Sequence, residues 1–296
     1  MQVGFIGIGQ MGKHMSRHVL EAGFNLTVHD LRKEAAAPLL QKGAKWANTP
    51  REVAASCDAV FSCLPAPKDV EEMVYGRDGL KLGWKKGDVY VDMSTNSPTT
   101  IRRVAQDARS MGVMVLDAPV SGGTKGAEAG TLAIMVGGDL ASLEKVRKVL
   151  SSMGKSIFPV GDVGCGNVAK LVNNMISLAS NSITAEGFVL GVKGGIDPKV
   201  LLEILKVSTG NNWSANQYPG SVFKGNFEPG FRISLAYKDI GLALALGKEY
   251  GVPLPVGAAV QQDLQDAIAA GLNDKGVNAV ILPLEEKVGV KVRSSE

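Results

Sequence analysis

The stretch Val3-Gly-Phe-Ile-Gly-Ile-Gly-Gln-Met-Gly12 decides the fold. Its first four residues form an apolar run without alternation, the pattern of a strand buried on both faces. The remainder is a G-x-G-x-x-G. A periodic stretch follows, with Met15, Val19 and Leu20 on one side, and Gly23 marks its end as a helix. Leu26-Thr-Val-His29 then reads as a second strand, ending at Asp30. Strand, glycine turn, helix, strand, acid: this order predicts a βαβ unit that holds a dinucleotide. Gly7 permits the tight turn, Gly9 lets the backbone approach a pyrophosphate, and Gly12 allows close helix–strand packing. Asp30 stands where an acid accepts hydrogen bonds from the adenine ribose. A carboxylate there repels the 2′-phosphate of NADP and favours NAD. Arg32 could pair with that phosphate and admit NADP.

The alternation continues along the chain. Thr49-Pro50 caps and opens a short helix through Ser56. Ala59 to Leu64 reads as a strand ending at Pro65 and Pro67, and Asp69 to Tyr75 as a helix. Asp88 to Asp92 is a strand, after which Asn96 or Ser97 caps the helix that Pro98 opens. Val113 to Leu116 and Leu132 to Val136 are apolar runs of strand type. Leu140 to Met153 is helical, and Ile157 to Val160 reads as a last strand, where Pro159 suits an edge. The pattern implies an α/β Rossmann-type domain over 1–163, with a mainly parallel, doubly wound sheet and right-handed crossovers. Ligands bind such sheets at the carboxyl ends of the strands. Leu64, Pro65, Ser94, Thr95 and the loop from Ser121 to Gly123 should therefore gather near the glycine turn.

From Gly166 the pattern turns helical, which assigns 164–296 to an all-α domain joined by a long helix. That helix runs over Ala169 to Gly191, with Leu171, Val172, Met175, Leu178 and Ala179 as its apolar stripe. Asp197-Pro198 opens a helix over Val200 to Val207. Asn211 to Tyr218 reads as a polar and aromatic loop, with Trp213 and Phe231 as candidate pocket walls. Further helices lie within Phe231 to Tyr250 and over Val256 to Ala270. Pro283 should interrupt the weakly patterned tail, and the charged end should fray.

Two features bear on chemistry. Asp117-Ala-Pro-Val-Ser-Gly-Gly123 ends in a loop that exposes backbone N–H groups to an anion, with Ser121 adding a hydroxyl. Lys170 and Asn174 are four apart and share a helix face, so an ammonium and an amide can address one small ligand. On spacing alone, a plain turn and a solvated helix lysine explain these residues equally well.

Bulk properties narrow the classes. Net charge is +3 with no long basic run, which argues against nucleic acid as a partner. Three histidines make a histidine-rich metal site a poor reading, so no metal is expected. Cys57, Cys63 and Cys165 lack metal-ligand spacing and fit a reducing cytoplasm. No run of eighteen uncharged apolar residues occurs, so no membrane span is expected. The chain opens on a strand, which predicts no signal peptide.

Taken together, Gly4-Phe-Ile-Gly-Ile-Gly-Gln-Met-Gly12, Asp117 to Gly123, Gly164-Cys-Gly-Asn-Val-Ala-Lys-Leu-Val-Asn-Asn174 and Lys238-Asp239 resemble the β-hydroxyacid dehydrogenase family. The resemblance covers essentially the whole chain. It implies metal-free hydride transfer between a nicotinamide and a small carboxylate-bearing substrate. That substrate would be a β-hydroxy acid of the 3-hydroxyisobutyrate type, or alternatively tartronate or succinic semialdehyde. It implies Lys170 as catalytic acid/base, with Ser121, Gly122, Gly123 and Asn174 on the substrate. Gly7, Gly9, Met11, Gly12, Asp30, Leu64, Pro65, Thr95 and Lys238 would line the cofactor. It also implies a homodimer or homotetramer built through the helical domains. Imine reductases share this fold and generally lack the lysine. The 211–218 loop departs from the longer, arginine-bearing loop of many 3-hydroxyisobutyrate enzymes, which leaves the substrate open. A non-catalytic dinucleotide sensor is the alternative from another class.

Overall fold

The computed structural model describes residues 1–294. The chain forms two compact units, Met1–Lys170 and the part that begins at Leu171.

The first unit follows the alternation read from the sequence. In order it contains β1 (Gln2–Ile6), α1 (Gly12–Glu21), β2 (Asn25–His29), α2 (Ala37–Gln41), β3 (Lys45–Trp46), α3 (Pro50–Ser56), β4 (Ala59–Ser62) and α4 (Pro67–Tyr75). Then come β5 (Val89–Asp92), α5 (Pro98–Ser110), β6 (Met114–Asp117), β7 (Val120–Ser121), α6 (Gly123–Ala129), β8 (Leu132–Gly137), α7 (Leu140–Met153) and β9 (Gly154–Gly161). Strands run in the order β3-β2-β1-β4-β5-β6-β8-β7, with β9 on the other side of β8. All pairs from β3 to β6 are parallel, and β8 turns antiparallel to β6 and β7. This is a mainly parallel Rossmann-type sheet.

Side chains alternate across it. Val3, Phe5, Phe61 and Val91 bury one face against Met15 and Val19 of α1 and Leu143 of α7. Val60, Tyr90 and Val115 bury the other against Val53, Val70 and Ile101 of α3, α4 and α5. Burial on both faces is why these strands read as unbroken apolar runs.

α8 (Cys165–Lys193) begins in the first unit and continues into the second. After it come α9 (Pro198–Lys206), α10 (Trp213–Gln217), α11 (Ile233–Tyr250), α12 (Pro255–Ala269) and α13 (Ile281–Val288). The second unit is all-helical among the described residues. Phe188, Tyr218 and Phe223 pack with tilted and edge-on rings in one of its cores, and Leu178, Ile240 and Leu264 lie in the other.

Several expectations need correction. The 211–218 loop holds the short helix α10, because Asn212 accepts a hydrogen bond from the Ala215 N–H and caps it. Trp213 on that helix is 71% exposed, so it walls no buried pocket. Pro283 does not break the tail. It sits in the first turn of α13, where its missing N–H is not needed. The fraying expected of the charged end concerns partly residues outside those described. Up to Ser294 the end is anchored, with Val292 buried and Arg293 paired to Glu285 at 2.7 Å. Ser97 stands at the N-cap of α5 but makes no side-chain cap. Val172, placed in the buried stripe of α8, is 46% exposed, because it falls on the outer side with Ile176, Ile183 and Leu190. α8 is also long and apolar enough, by length and composition, to cross a membrane. Its buried Asn174 and Asn181 instead donate their side-chain N–H groups to Asp239 and the Val277 carbonyl, as in a helix packed within protein.

Candidate active site

Parallel pairing fixes where the loops emerge. Ile6 is in register with His29 and Ser62, Ser62 with Asp92, and Asp92 with Asp117. The last residues of β1, β2, β4, β5 and β6 therefore form one row. The next residues leave the sheet on the same edge. Backbone bonds stitch their exits together: Gly7 N–H to the His29 carbonyl, Cys63 N–H to Ile6, Met93 N–H to Ser62, and Ala118 N–H to Asp92, at 2.7–3.0 Å. Five strand ends thus bring the glycine turn, Asp30, Leu64-Pro65, Ser94-Thr95 and the start of the Ala118–Gly123 loop to one edge.

The glycine turn is shaped as a dinucleotide requires. Gly7 has φ +93°, and a Cβ there would collide with the Cys63 carbonyl. A Cβ at Gly12 would overlap the Gly7 carbonyl, so glycine alone lets α1 close onto the turn. A Cβ at Gly9 would meet nothing within 4 Å, so the backbone there faces open space. Met11 stands at the N-cap of α1 and makes no side-chain cap, and no acid lies in the first turn. The helix N-terminus therefore keeps its positive end open to an anion. These features fit a dinucleotide pyrophosphate. Asp30 holds the far side. Its carboxylate accepts from the Ile8 N–H at 2.7 Å and the Arg32 N–H at 2.9 Å, which ties the end of β2 to the glycine turn. Leu64 and Thr95 are half-buried and Pro65 is exposed. The Leu64 N–H donates to Ser94 Oγ at 2.9 Å, which joins their two loops.

Ser121 lies in β7, with Gly122 and Gly123 exposed beyond it at φ +132° and +62°. This left-handed pair turns the chain from β7 into α6, a helix the sequence did not reveal. Lys170 is half-buried in the second turn of α8. In the second unit Asn174 is buried, and its Nδ2 donates to Asp239 Oδ2 at 2.6 Å. Lys238 Nζ stands 2.9 Å from Asp239 Oδ1. Beyond that ion pair, this buried oxygen accepts no hydrogen bond. Among the described residues, no three His, Cys, Asp or Glu side chains cluster closely enough to hold a metal.

Comparison with known proteins agrees with this architecture. The family model described as the NAD binding domain of 6-phosphogluconate dehydrogenase matches residues 2–161. A second, described as the NAD-binding domain of NADP-dependent 3-hydroxyisobutyrate dehydrogenase, matches residues 164–284. The 2-(hydroxymethyl)glutarate dehydrogenase of Eubacterium barkeri is 40% identical over 100% of this chain and 99% of its own length. The chain belongs to the β-hydroxyacid dehydrogenase family. The 3-hydroxyisobutyrate dehydrogenase of Pseudomonas aeruginosa is 40% identical to this dehydrogenase, over 86% of this chain and 88% of the relative. A Mycobacterium tuberculosis 3-hydroxyisobutyrate dehydrogenase structure with L-serine aligns with TM-score 0.89 and 34% identity, covering 96% of this chain and 99% of that one. The dehydrogenase is thus an NAD(P)-dependent oxidoreductase.

Sequence reasoning missed a buried polar network beneath the site. Asp117 accepts from the Gly164 N–H at 2.7 Å, the Asn167 N–H at 2.6 Å and Asn167 Nδ2 at 3.2 Å. It caps α8 from β6. Burial pushes its carboxyl up to about 6, against the three donors that pull it down. Asp92 accepts from Ser62 Oγ, the Ser94 N–H and Asn96 Nδ2, and burial raises its carboxyl also. Asp117 was visible in its motif, but no local signal tells that its partners lie 47 and 50 residues on.

Proposed function

We propose that this dehydrogenase transfers hydride between NAD and a small acid carrying a primary hydroxyl β to its carboxylate. The observation that carries the reading is the single row of strand ends, which gathers an open glycine turn, Asp30 and the loop toward Ser121–Gly123 on one edge. The relatives' names support the substrate class. 3-Hydroxyisobutyrate, L-serine and 2-(hydroxymethyl)glutarate share a hydroxymethyl carbon next to a carboxylate-bearing carbon and differ in one substituent. 3-Hydroxyisobutyrate heads the list, and reduction of tartronate or succinic semialdehyde is the alternative.

In this reading the domains are 1–163 for the dinucleotide and 164–296 for substrate and oligomer contacts. Gly7, Gly9, Met11, Gly12, Asp30, Leu64, Pro65, Thr95 and Lys238 hold the cofactor, and Asp30 selects NAD over NADP. The bound nicotinamide supplies the hydride acceptor or donor. Ser121, Gly122 and Gly123 hold the substrate carboxylate, and Asn174 orients the substrate. Lys170 takes the hydroxyl proton in oxidation and returns it to the carbonyl oxygen in reduction. Fixing the carboxylate restricts the reacting carbon to one pose, which lowers the entropic part of the barrier. The exposed apolar row Val172, Ile176, Ile183 and Leu190 supports a homodimer or homotetramer built through α8. The enzyme works in the cytoplasm without a membrane or nucleic-acid partner.

The test is a panel of initial rates with NAD and NADP against 3-hydroxyisobutyrate, L-serine, 2-(hydroxymethyl)glutarate and glycerate, with both semialdehydes run in reverse. One acid should exceed the others by about tenfold in kcat/KM, roughly 1.4 kcal/mol of discrimination. Lys170→Ala should lose most of its kcat while still binding NADH. Wild-type turnover in that variant removes Lys170 from the chemistry.

A further inference from the structure

Beneath the candidate site, two buried carboxyls are joined by two buried amides. Asp92 Oδ2 accepts from Asn96 Nδ2 at 2.8 Å. The Asn96 backbone N–H donates to Asn167 Oδ1 at 2.7 Å. Asn167 Nδ2 and its backbone N–H both donate to Asp117 Oδ2. All four side chains are fully buried. The chain starts at the end of β5, passes through the loop carrying Ser94 and Thr95, and ends on the first turn of α8.

We propose that Asn167, held between Asn96 and Asp117, is a positioning residue for Lys170. The inference rests on the reading of Lys170 as the catalytic acid/base.

Three observations carry it. Asn167 and Lys170 are three apart and share a face of α8, one turn from each other. A helix passes a shift of its first turn directly to the next, because the rise is fixed at about 1.5 Å per residue. Second, the first turn is pressed against the sheet. A Cβ at Gly166 would meet the carbonyls of Met135 and Asp117, and Gly164 holds φ +95°. Glycines bring the backbone in, and the Asn167 amide sets its rotation. Third, the network does more than a cap requires. Asp117 alone meets the N–H groups of Gly164 and Asn167. The Asn167 side chain adds a link to Asn96, whose loop is tied through Ser94 Oγ to Leu64. Buried polar networks of this kind add little net stability over apolar packing, and a role in fixing geometry is consistent with their presence.

The experiment is a double-mutant cycle on kcat with NAD and 3-hydroxyisobutyrate, or whichever acid of the panel turns over fastest. The variants are Asn167→Ala, Lys170→Ala and the pair, each measured also for NADH affinity and urea midpoint. Asn167→Ala should lower kcat about tenfold or more, with NADH affinity unchanged. In the Lys170→Ala background the same change should cost less than about twofold, because there is no lysine left to misplace. Asn167→Ser, which keeps one of the two links, serves if the alanine variant does not fold, and should lose less. Wild-type kcat in either folded Asn167 variant overturns the proposal, as does a loss that multiplies with that of Lys170→Ala. Wild-type kcat in Lys170→Ala alone overturns the reading beneath it, and the proposal with it.

Discussion

The sharpest prediction concerns two glycines three residues apart. At Gly9 an added methyl meets nothing within 4 Å, and the backbone lies outside the left-handed region. Gly9→Ala should therefore leave the apo protein as stable as before, or raise it by about 0.4–1 kcal/mol through the unfolded state. If the pyrophosphate lies on that backbone, the methyl holds it off and removes one or two charge-assisted hydrogen bonds. At about 1.5–3 kcal/mol in all, NADH should bind roughly ten- to hundredfold more weakly. Gly12→Ala is the reverse case. Its methyl would overlap the Gly7 carbonyl, a backbone atom that cannot swing aside. Overpacking costs about 1–3 kcal/mol or more, which exceeds the gain of about 1 kcal/mol from helix propensity at that position. Calorimetric titration with NADH and urea unfolding of both variants give the four numbers needed. A Gly9→Ala protein that binds NADH with wild-type affinity refutes the placement of the pyrophosphate. One as unstable as Gly12→Ala refutes the claim of open space.

Asp30→Asn removes the charge that opposes a 2′-phosphate near Arg32, so the NADP/NAD ratio of kcat/KM should rise about tenfold or more; an unchanged ratio in steady-state assays denies Asp30 that role. Asp117 titrates near 6 when folded against an ordinary value of 3.8, so the folded state binds the extra proton between those values. Its contribution is fully present below about pH 3.8 and is lost as pH rises through 6, up to about 3 kcal/mol. Asp117→Asn should be less stable overall but flatter across that window, and an unaltered slope in urea midpoints at pH 4, 5, 6 and 7 counts against the assignment. Arg293→Ala leaves the buried Glu285 carboxylate with only the Val292 N–H, and should cost about 2–3 kcal/mol in the same assay. A loss under about 0.5 kcal/mol would mean that water replaces the guanidinium.

The first unit was legible because its strands are buried on both faces and its helices on one, so hydropathy records the layers directly. β1, β4, β5 and β6 stood out as apolar runs, and Thr49-Pro50 and Asp197-Pro198 marked helix starts that the structure bears out. What stayed hidden lacks such a record. α2 contains Pro38 in its first turn and only five residues, too few for a period. α6 is built from Gly123-Thr-Lys-Gly-Ala-Glu-Ala129 and buries only Ala127. α10 is set by the Asn212 cap, a signal of one residue. The polar network was unreadable for a different reason. Asn96 and Asn167 look like ordinary loop or helix-start residues, Asp117 stands out only as the start of its own motif, and only the sheet brings the three together.

The clamp of Arg293 on Glu285, with Val292 inserted beside it, has a consequence for handling the protein. The turn through Val292 and Arg293 is a structural member of the helical unit, because it carries two of the bonds that hold the buried Glu285 carboxylate. A cut that removes Val292 and Arg293 would release this fastening and leave the Glu285 carboxylate without its guanidinium partner.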